Sequence, residues 1–256
     1  MIHPSAIIHP GAKLAQDVEI GPFSVIGGHV EIGSGTSIGS HAVITGHTRI
    51  GKSNRIFHHV VLGEAPQDKK YAGEPTRLEI GDGNTIREFC TFNTGTAQDV
   101  GVTRLGDDNW VMAYAHLAHD SQVGSHTILA NMVTLAGHVT IHDYVILGGG
   151  TMVHQFCRVG EHAFTAGGSI VLRDVPPFVM ASGNSAKPHG INSEGLKRRG
   201  FSTAAIEEIR RAYRKLYKSG LALEEAKAVL REQAASCKEL EIFVAFLDSS
   251  TRSIIR

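Results

Sequence analysis

In the stretch IGPFSVIGGHVEIGSGTSIGSHAVITGHTRIG (residues 20–51), isoleucine stands at every sixth position. The same spacing of Ile or Leu extends from Ile2 to Leu62, and aliphatic residues resume it from Leu105 to Val159. Neither the 3.6-residue period of an α-helix nor the two-residue alternation of a β-strand gives this pattern. The period of six therefore indicates a repeating structural unit.

The six-residue unit predicts a short, flat strand followed by a turn, with one aliphatic and one small side chain directed inward. Three units close a triangular coil of 18 residues, and about eight or nine coils stacked at the strand spacing form a prism roughly 40 Å long. The small inward residues stand four positions after the aliphatic ones, and they are Ser24, Thr36, Ala42, Thr48, Ala115, Ser121, Thr127, Val133, Thr151, Ala163 and Ser169. We therefore predict a mainly β fold, with a parallel β-helix of hexapeptide repeats over residues 1–187.

Two segments fall outside the six-residue register and are predicted to be loops, at about 64–78 and about 93–104. Loops on a rigid repeat scaffold often carry function, although surface decoration is a comparable alternative. Thr165 breaks the aliphatic series, but Val171 keeps the register.

A helical pattern begins near Asn192, and residues 188–256 are predicted to form a small C-terminal α-helical domain. In STAAIEEIRRAYRKLYKSG we expect Ser202 or Thr203 as the N-cap, acidic residues in the first turn and Gly220 as the C-cap. The stretches LEEAKAVLREQAAS and KELEIFVAFLDSS predict two further helices.

The composition argues against several classes of protein. The 256 residues include 25 Lys plus Arg and 25 Asp plus Glu, so no overall charge directs the chain to nucleic acid or to a membrane surface. The three cysteines are far apart and lack CxxC spacing, which favours free thiols in a reducing compartment. We recognise no signal peptide and no run of about 18 apolar residues that would span a membrane. These features predict a soluble, cytoplasmic protein.

Stacked coils bring together residues that lie one full coil apart in the sequence. His119 is predicted to stack on Gly137 and Gly137 on Gln155, with His138 and His154 each one position from this column. The column offers an imidazole base, backbone N–H donors and a glycine at which a ligand can approach the main chain. The alternative is a column formed by accident, because turn positions are commonly polar and the chain contains 15 histidines.

Clustered histidines can also bind a metal ion. His116 and His119 lie three residues apart, with Asp120 next. Hexapeptide-repeat proteins that resemble carbonic anhydrases bind zinc with histidines from adjacent subunits, and their pattern includes a pair five residues apart, which this chain lacks. Zinc sites also usually recruit several ligands that are held by further hydrogen bonds. We therefore predict no metal site, and we favour His119 over His116 as the candidate base.

Six stretches make the sequence resemble the UDP-N-acetylglucosamine O-acyltransferases, which begin lipid A biosynthesis in Gram-negative bacteria. They are QDKKYAGEPTRLEIGD, AHLAHDSQVG, ILANMVTLAGHV, VHQFCRVG, DVPPFVMASGN and INSEGLKRRGF, and together they cover nearly the whole chain. The resemblance implies left-handed coils and a homotrimer with active sites between neighbouring prisms. It also implies transfer of an R-3-hydroxyacyl chain from the phosphopantetheine of acyl carrier protein to the glucosamine 3-hydroxyl of UDP-N-acetylglucosamine, with no other cofactor.

The resemblance assigns roles to individual positions. It makes His119 the general base, Asp120 the residue that orients it, and the Gly137 N–H the donor to the thioester oxyanion. The positions that match substrate contacts are Asp68, Lys70, His138, His154, Gln155, Asn192, Glu194, Arg198 and Arg199. This agrees with the chemistry, because a neutral imidazole can deprotonate a sugar hydroxyl and a fixed N–H can stabilise the developing charge. No covalent enzyme intermediate is expected.

The chain departs from the family pattern in FNTGT (92–96), where Asn93 and Thr94 replace a usual His-Arg pair. The family measures acyl length with residues past Gln155, and the candidates Phe164 and Gly167 point in opposite directions because one is bulky and the other small. The preferred chain length is therefore left open.

Residues 195–220 contain eight Lys or Arg and two Glu. Such a basic segment suits an acidic acyl carrier protein, although an ordinary exposed helix would have the same composition. Two other functions remain open, namely a hexapeptide transferase that uses acyl-CoA and a β-helix that only binds. The segment NSEGLKRRGF disfavours the first, and the His–Gly–Gln column disfavours the second.

Overall fold

The computed structural model describes residues 1–235 and 237–256, and its larger part is a coil of short parallel strands. The first strands are β1 Ile7–Ile8, β2 Lys13–Leu14, β3 Glu19–Ile20, β4 Val25–Ile26, β5 Val30–Ile32, β6 Ser37–Ile38, β7 Val43–Ile44, β8 His47–Ile50 and β9 Arg55–Ile56. They are followed by β10 Val61–Glu64, β11 Arg77–Ile80, β12 Thr85–Ile86, β13 Thr91–Asn93, β14 Val102–Leu105, β15 Trp110–Val111, β16 His116–Leu117, β17 Gln122–Val123 and β18 Ile128–Leu129. The last are β19 Thr134–Leu135, β20 Thr140–Ile141, β21 Ile146–Leu147, β22 Met152–Val153, β23 Arg158–Val159, β24 Phe164–Thr165, β25 Ile170–Val171, β26 Val179–Ser182 and β27 Lys187–Ile191.

From β1 to β25 every third strand joins the same sheet, which gives the prism three faces. Over the described residues, sheet 1 runs from β1 to β25, sheet 2 from β2 to β23, and sheet 3 from β3 to β27. The chain passes from sheet 1 to sheet 2 at the first corner, from sheet 2 to sheet 3 at the second corner, and from sheet 3 back to sheet 1 at the third corner. His116 pairs with Thr134 and Thr134 with Met152, so the register between neighbouring coils repeats at the predicted coil length.

The interior of the prism contains the two kinds of residue that the period directs inward. From Ile20 onward the aliphatic series is buried, as at Ile44 and Leu117, and so are all the small partners four positions later. At the open N-terminal end of the prism Ile2 is exposed, and Ile8 and Leu14 are half-buried. Thr165 is buried in the aliphatic position because its hydroxyl lies 2.9 Å from the hydroxyl of Thr151 and accepts the N–H of Gly148 at 3.2 Å. A buried polar group is tolerated when it has such partners.

Both loops are present, and each is shorter than predicted. The first loop is 65–76, between the end of β10 at Glu64 and the start of β11 at Arg77. The second is 94–101, between the end of β13 at Asn93 and the start of β14 at Val102. The prediction was wrong at these ends because the longer strands alternate inward and outward residues, as at buried Leu78 and Ile80, and so depart from the six-residue spacing.

The C-terminal part consists of α1 Ser193–Arg198, α2 Thr203–Lys218, α3 Leu223–Ala234 and α4 Lys238–Ser249. The N-cap of α2 is Ser202, whose hydroxyl accepts the Ala205 N–H, as predicted. Two details were wrong, because the C-cap is Ser219, one residue before Gly220, and the first turn of α2 contains no acid. Ser236, the last residue of the predicted helical stretch LEEAKAVLREQAAS, lies outside the described residues.

The helices join the prism through β27, which pairs antiparallel with β26, the last parallel strand of sheet 3. The predicted division between 187 and 188 falls at the start of β27 and stays a prediction. The segment after α4 returns to the prism, where the Ser250 hydroxyl donates to Asp174 at 2.6 Å. No helix in residues 1–235 or 237–256 is both long and apolar enough to cross a membrane.

Candidate active site

The candidate base lies at the first corner, in the turn that follows β16. The turns after β16, β19 and β22 are each one coil apart, so His119, Gly137 and Gln155 occupy the same turn position. The backbone links these turns, since the His138 N–H donates to the His119 carbonyl at 3.1 Å and the Phe156 N–H donates to the Gly137 carbonyl at 3.2 Å. The coil thus brings together residues that are far apart in sequence.

His119 and Asp120 form a hydrogen-bonded pair. His119 Nδ1 lies 3.0 Å from Asp120 Oδ2, and 14% of the His119 side chain is exposed against 0% of the Asp120 side chain. An ionised carboxylate only accepts hydrogen bonds, so the neutral imidazole carries its proton on Nδ1 and keeps a lone pair on Nε2. This is the tautomer that a base acting through Nε2 requires.

The carboxylate of Asp120 is held by the loop 94–101. The Thr96 hydroxyl donates to Oδ2 at 2.6 Å, and the Thr96 N–H lies 3.1 Å from Oδ1 and 3.0 Å from Oδ2. The Asp120 N–H donates to the Thr103 hydroxyl at 2.9 Å. A Cβ on Gly95 would come within 2.8 Å of Oδ1, so glycine permits the close approach of this loop.

A second imidazole stands beside His119. The His138 ring meets the His119 ring edge to face, with 4.9 Å between centroids, and stacks on Phe156 at 4.3 Å. His138 Nδ1 bonds to the carboxylate of Asp99, and it lies 4.0 Å from Asp120 Oδ2. The loop 94–101 therefore contacts His138 directly through Asp99 and reaches His119 through the carboxylate of Asp120.

Gly137 is required by the position of the His119 ring. A Cβ at residue 137 would lie 2.6 Å from His119 Cε1 and 2.7 Å from Nε2, closer than real Cβ contacts come. The Gly137 N–H has no acceptor among the described residues, and the residue that carries it adjoins the imidazole. A free N–H beside a base is the arrangement that an oxyanion donor needs.

The same cluster has the spacing of a metal site. One ligand atom each from His119, Asp120 and His138 lies within 4.8 Å of the other two. These residues come from neighbouring coils, so the search for a histidine pair along the sequence does not detect them. The prediction that the chain binds no metal stays a prediction.

Two other predicted substrate contacts lie on the same corner. His154 and Gln155 are exposed, and His154 Nδ1 bonds to the Gln155 carbonyl at 3.1 Å. That carbonyl also accepts the guanidinium of Arg252 at 2.5 Å, so the C-terminal segment reaches the column.

Asp68 and Lys70 lie in the loop 65–76, where the Asp68 carboxylate accepts the Lys70 N–H at 3.0 Å. This contact orders the local turn, and the Lys70 ammonium has no salt bridge among the described residues.

The predicted nucleotide contacts surround α1, near the second corner. Asn192 caps α1 through Gly195 and donates to the His162 carbonyl at 3.0 Å, while exposed Glu194 pairs with Lys197 at 2.8 Å. Arg198 is exposed, without a salt bridge to any described residue.

Arg199 is half-buried over the Tyr144 ring at 5.3 Å, and its buried Nη1 has no hydrogen-bond partner among the described residues. Burial lowers the pKa of this guanidinium. A buried cation that lacks a partner is an unfavourable arrangement unless an anion completes it.

The two acyl-length candidates lie away from the base. Phe164 is a half-buried residue of sheet 3, and Gly167 is exposed at the third corner. Within one chain neither residue adjoins the first corner, where His119 lies.

Thr96, Thr103 and Asp99 are the contacts that sequence reasoning missed. Thr96 is 24 residues from Asp120 and Asp99 is 39 residues from His138, and neither separation is a whole number of coils. The only hint in the sequence was that the loop leaves the six-residue register, so that its residues can contact a different coil.

Comparison with known proteins identifies the family. Residues 174–255 match the second domain of UDP N-acetylglucosamine O-acyltransferase, and residues 11–46 and 103–137 match the bacterial transferase hexapeptide repeats. An acyl-[acyl-carrier-protein]–UDP-N-acetylglucosamine O-acyltransferase from Thiobacillus denitrificans is 63% identical over 100% of this chain and 99% of its own length.

Solved structures agree with this match. LpxA from Acinetobacter baumannii superposes with a TM-score of 0.97 at 47% identity, covering 100% of this chain and 99% of that one. UDP-N-acetylglucosamine acyltransferase from Francisella novicida superposes with a TM-score of 0.98 at 46% identity, covering 100% and 94%. The predicted fold, a left-handed parallel β-helix of hexapeptide repeats followed by C-terminal helices, is confirmed by these matches. The chain is therefore an acyltransferase that belongs to the UDP-N-acetylglucosamine O-acyltransferase family of lipid A synthesis.

Proposed function

We propose that this chain transfers an R-3-hydroxyacyl group from acyl carrier protein to the glucosamine 3-hydroxyl of UDP-N-acetylglucosamine. The names of its relatives supply the two substrates. The observation that carries the proposal for this chain is the His119–Asp120 pair beside the free N–H of Gly137, because it combines a base with an oxyanion donor.

In the proposed step His119 Nε2 takes the proton of the sugar 3-hydroxyl as the oxygen attacks the thioester carbonyl carbon. The tetrahedral intermediate collapses with cleavage of the C–S bond, and the imidazolium returns the proton to the departing thiolate. Asp120 keeps the ring in the Nδ1-protonated tautomer and stabilises the imidazolium. An imidazole nitrogen can accept a proton and then return it, so one side chain can serve as base and then as acid.

The Gly137 N–H is the proposed donor to the negative charge that develops on the thioester oxygen. A backbone donor is fixed before the reaction, so it needs no rearrangement as the charge forms. The glycine also leaves room for the imidazole, since any Cβ at this position would overlap the ring. The two roles explain why one residue without a side chain is important to the site.

A cysteine nucleophile is disfavoured by the surroundings of the thiols. Cys157, two residues past Gln155, is buried, and desolvation raises its pKa to about 11. Burial raises the pKa of Cys90 to about 12. A thiol is nucleophilic mainly as the thiolate, which is scarce at neutral pH when the pKa is so high. This supports direct transfer without an acyl-enzyme, and the proposed scheme needs no cofactor beyond the phosphopantetheine of the donor.

The diphosphate of the nucleotide is the proposed partner of Arg199. The buried Nη1 atom lacks a hydrogen-bond partner in the part of the chain that the structure describes, and a phosphate oxygen would both bond to it and neutralise the guanidinium. Exposed Arg198 next to it would add a second cation. Asn192 and Glu194 lie at the N-terminal end of α1, whose C-cap is Arg199, and would meet the remaining polar groups of the nucleotide.

A homotrimer would bring the two halves of this site together. Arg199 lies near the second corner and His119 at the first corner, and six residues of coil separate the corners by roughly 20 Å at the rise of a β-strand. Neighbouring prisms packed about a threefold axis would set the first corner of one chain against another chain. The family resemblance supplies the trimer, and the separation of the two groups supports it.

Acyl carrier protein is proposed to dock on the basic C-terminal segment. The salt bridges of Glu207 and Glu208 neutralise Arg210 and Arg211. Among the described residues no salt bridge involves Arg198, Arg214, Lys215 or Lys218, which are exposed. An excess of exposed cations speeds association with an acidic partner, and this attraction weakens as salt is added.

The test is an acyl-transfer assay with purified protein, UDP-N-acetylglucosamine and 3-hydroxyacyl donors of varied chain length on acyl carrier protein or on CoA. We expect transfer from the carrier protein with a preference for one length, and native mass spectrometry of the same sample at three times the 27.5 kDa of one chain. Transfer from acyl-CoA alone would favour the CoA-dependent alternative. Absence of transfer from every donor would contradict the proposal, and an active monomer would contradict the shared site.

A further inference from the structure

Thr96 makes an unusual contact with the catalytic carboxylate. Its side chain is buried at 1% exposure, and the hydroxyl has no hydrogen-bond partner other than Asp120 in residues 1–235 and 237–256. The N–H of the same residue bridges both carboxylate oxygens. One residue of the loop 94–101 therefore holds both oxygens of Asp120.

The two donors converge on one atom. Asp120 Oδ2 accepts the Thr96 hydroxyl at 2.6 Å and the His119 Nδ1–H at 3.0 Å. Rotation of the carboxylate away from His119 would break the bond to the Thr96 hydroxyl. Because hydrogen bonds to an ionised group are shorter and stronger than neutral ones, this bond restrains the carboxylate in the orientation that meets the imidazole.

We propose that Thr96 is a positioning residue for acyl transfer, whose hydroxyl fixes Asp120 so that Asp120 keeps His119 in the Nδ1-protonated tautomer with Nε2 free for the sugar hydroxyl. The inference rests on the proposed function, since it assigns a role within that same site. Thr96 donates a hydrogen bond throughout and transfers no proton, so the balance of the reaction is unchanged. It acts through Asp120 and touches neither substrate.

The second corner contains a matched control for this contact. The Thr127 hydroxyl donates to Asn109 Oδ1 at 2.6 Å, and the Thr127 N–H donates to the same oxygen at 2.8 Å. Thr127 is also 1% exposed. The two threonines thus make the same pair of hydrogen bonds in equally buried surroundings, but only one of them holds a catalytic carboxylate.

The experiment compares Thr96→Val, Thr96→Ser and Thr127→Val as full-length proteins in the transfer assay. Valine keeps the shape and removes the hydroxyl, so we expect Thr96→Val to lower kcat about 10- to 100-fold while KM for UDP-N-acetylglucosamine changes less than about twofold. Serine restores the donor and is expected to recover most of kcat. Thr127→Val is expected to lose stability to a similar extent and to keep kcat within about twofold.

Three kinetic outcomes would overturn the role of Thr96. They are a Thr96→Val enzyme with kcat within twofold of wild type, a Thr96→Ser enzyme as slow as Thr96→Val, and an equal loss of kcat in Thr127→Val. Any of these would make the hydroxyl a structural contact or a dispensable one.

A measurement without substrates separates this inference from the proposed function. The ¹⁵N NMR shifts of histidine-labelled protein report which ring nitrogen carries the proton, and His119→Ala identifies the signals of residue 119. We expect a single Nδ1-protonated tautomer in neutral wild-type His119 and a mixture of tautomers in Thr96→Val. An unchanged tautomer in the variant contradicts the inference even if the enzyme is active. A mixture supports it even if the wild-type protein fails to transfer the acyl group.

Discussion

The first and third corners carry the same kind of column of stacked turn residues, but only one column has the features of an active site. At the third corner the rings of Phe23, His41, His59, Phe89 and Tyr114 stack at 4.9 to 5.2 Å. At the first corner His138 stacks on Phe156 at 4.3 Å and stands beside His119. Both columns thus place histidines on stacked turns. Neighbouring turns are about one coil apart in the sequence, or further apart where a loop is inserted.

The backbone conformation is also shared. His59 has a φ of 58°, His138 of 62° and Phe156 of 65°, which is the left-handed region that costs most residues about 1–2 kcal/mol. Stacked aromatic rings contribute roughly 0.5–1.5 kcal/mol a pair and offset part of this cost. Ring stacking at the corners is therefore explained by the fold alone and does not indicate function.

The carboxylates make the difference between the two columns. His119 bonds to Asp120 and His138 to Asp99, whereas among the described residues no carboxylate forms a salt bridge with His41 or His59. Two of the supporting residues come from the loop 94–101, where the coil register is interrupted. The proposed site thus lies where an irregular segment adds polar partners to a regular column.

Replacing His119 tests this comparison with the largest expected effect. His119→Ala removes the proposed base, and we expect a loss of about 10²- to 10⁴-fold in kcat with retained fold and UDP-N-acetylglucosamine binding. His59→Ala removes a ring from the other column and is expected to keep kcat within about twofold. Transfer rates and the circular dichroism of both variants provide the measurement. A His119→Ala enzyme with more than a tenth of the wild-type rate would contradict the role of the base.

A glycine pair gives the next largest effect. Gly137 and Gly149 occupy the same position in turns of the first and third corners, but a Cβ at 137 would lie 2.6 Å from His119 Cε1, whereas at 149 the nearest atom would be the Asn131 carbonyl oxygen at 3.4 Å. Gly137→Ala must displace the imidazole, and a misplacement of about 1 Å can cost about 10²-fold in rate. We expect that loss in kcat for Gly137→Ala and near wild-type kcat for Gly149→Ala.

The two alanine variants are compared in the transfer assay and by crystallography of the ligand-free proteins. We expect the structure of Gly137→Ala to have a His119 ring that no longer bonds to Asp120. Full activity with an undisplaced ring would refute the steric argument, and an equal loss in Gly149→Ala would refute its restriction to the first corner.

The sequence predicted the part of the site that the coil repeats and missed the part that it does not. Stacking of His119, Gly137 and Gln155 follows from a translation by one coil at a time, so the period alone was enough to find it. Thr96 and Asp99 could not be found in this way. The loop 94–101 lies outside the coil, so the sequence separation between these residues and their partners is not a whole number of coils.

Counting coils along the sequence could also have shown that the acyl-length candidates lie away from the base within one chain. Phe164 lies two and a half coils beyond His119 in the sequence, and the structure has it on sheet 3. The difference in size between Phe164 and Gly167 therefore says little about an acyl groove at the first corner of the same chain. In the proposed homotrimer, a contribution of Phe164 or Gly167 to acyl length would act on the site of a neighbouring chain.

His116 gives the smallest expected effect and contrasts with His119 in the same turn region. It is half-buried on β16, its Nδ1 lies 2.7 Å from the Thr91 hydroxyl, and burial lowers its pKa. The imidazole of the unfolded chain takes up a proton near pH 6.5, whereas the folded chain takes it up only at lower pH. Between these two pH values the unfolded state binds more protons than the folded state. The free energy of unfolding therefore rises with pH in this range and falls as the pH drops below about 6.5. We expect urea unfolding at fixed protein concentration to have a shallower pH dependence in His116→Gln than in wild type. Since burial and Arg158 also lower the pKa of His142, the double variant with His142→Gln should flatten it further. An unchanged slope in His116→Gln would mean that the folded protein protonates this ring as readily as the unfolded chain does.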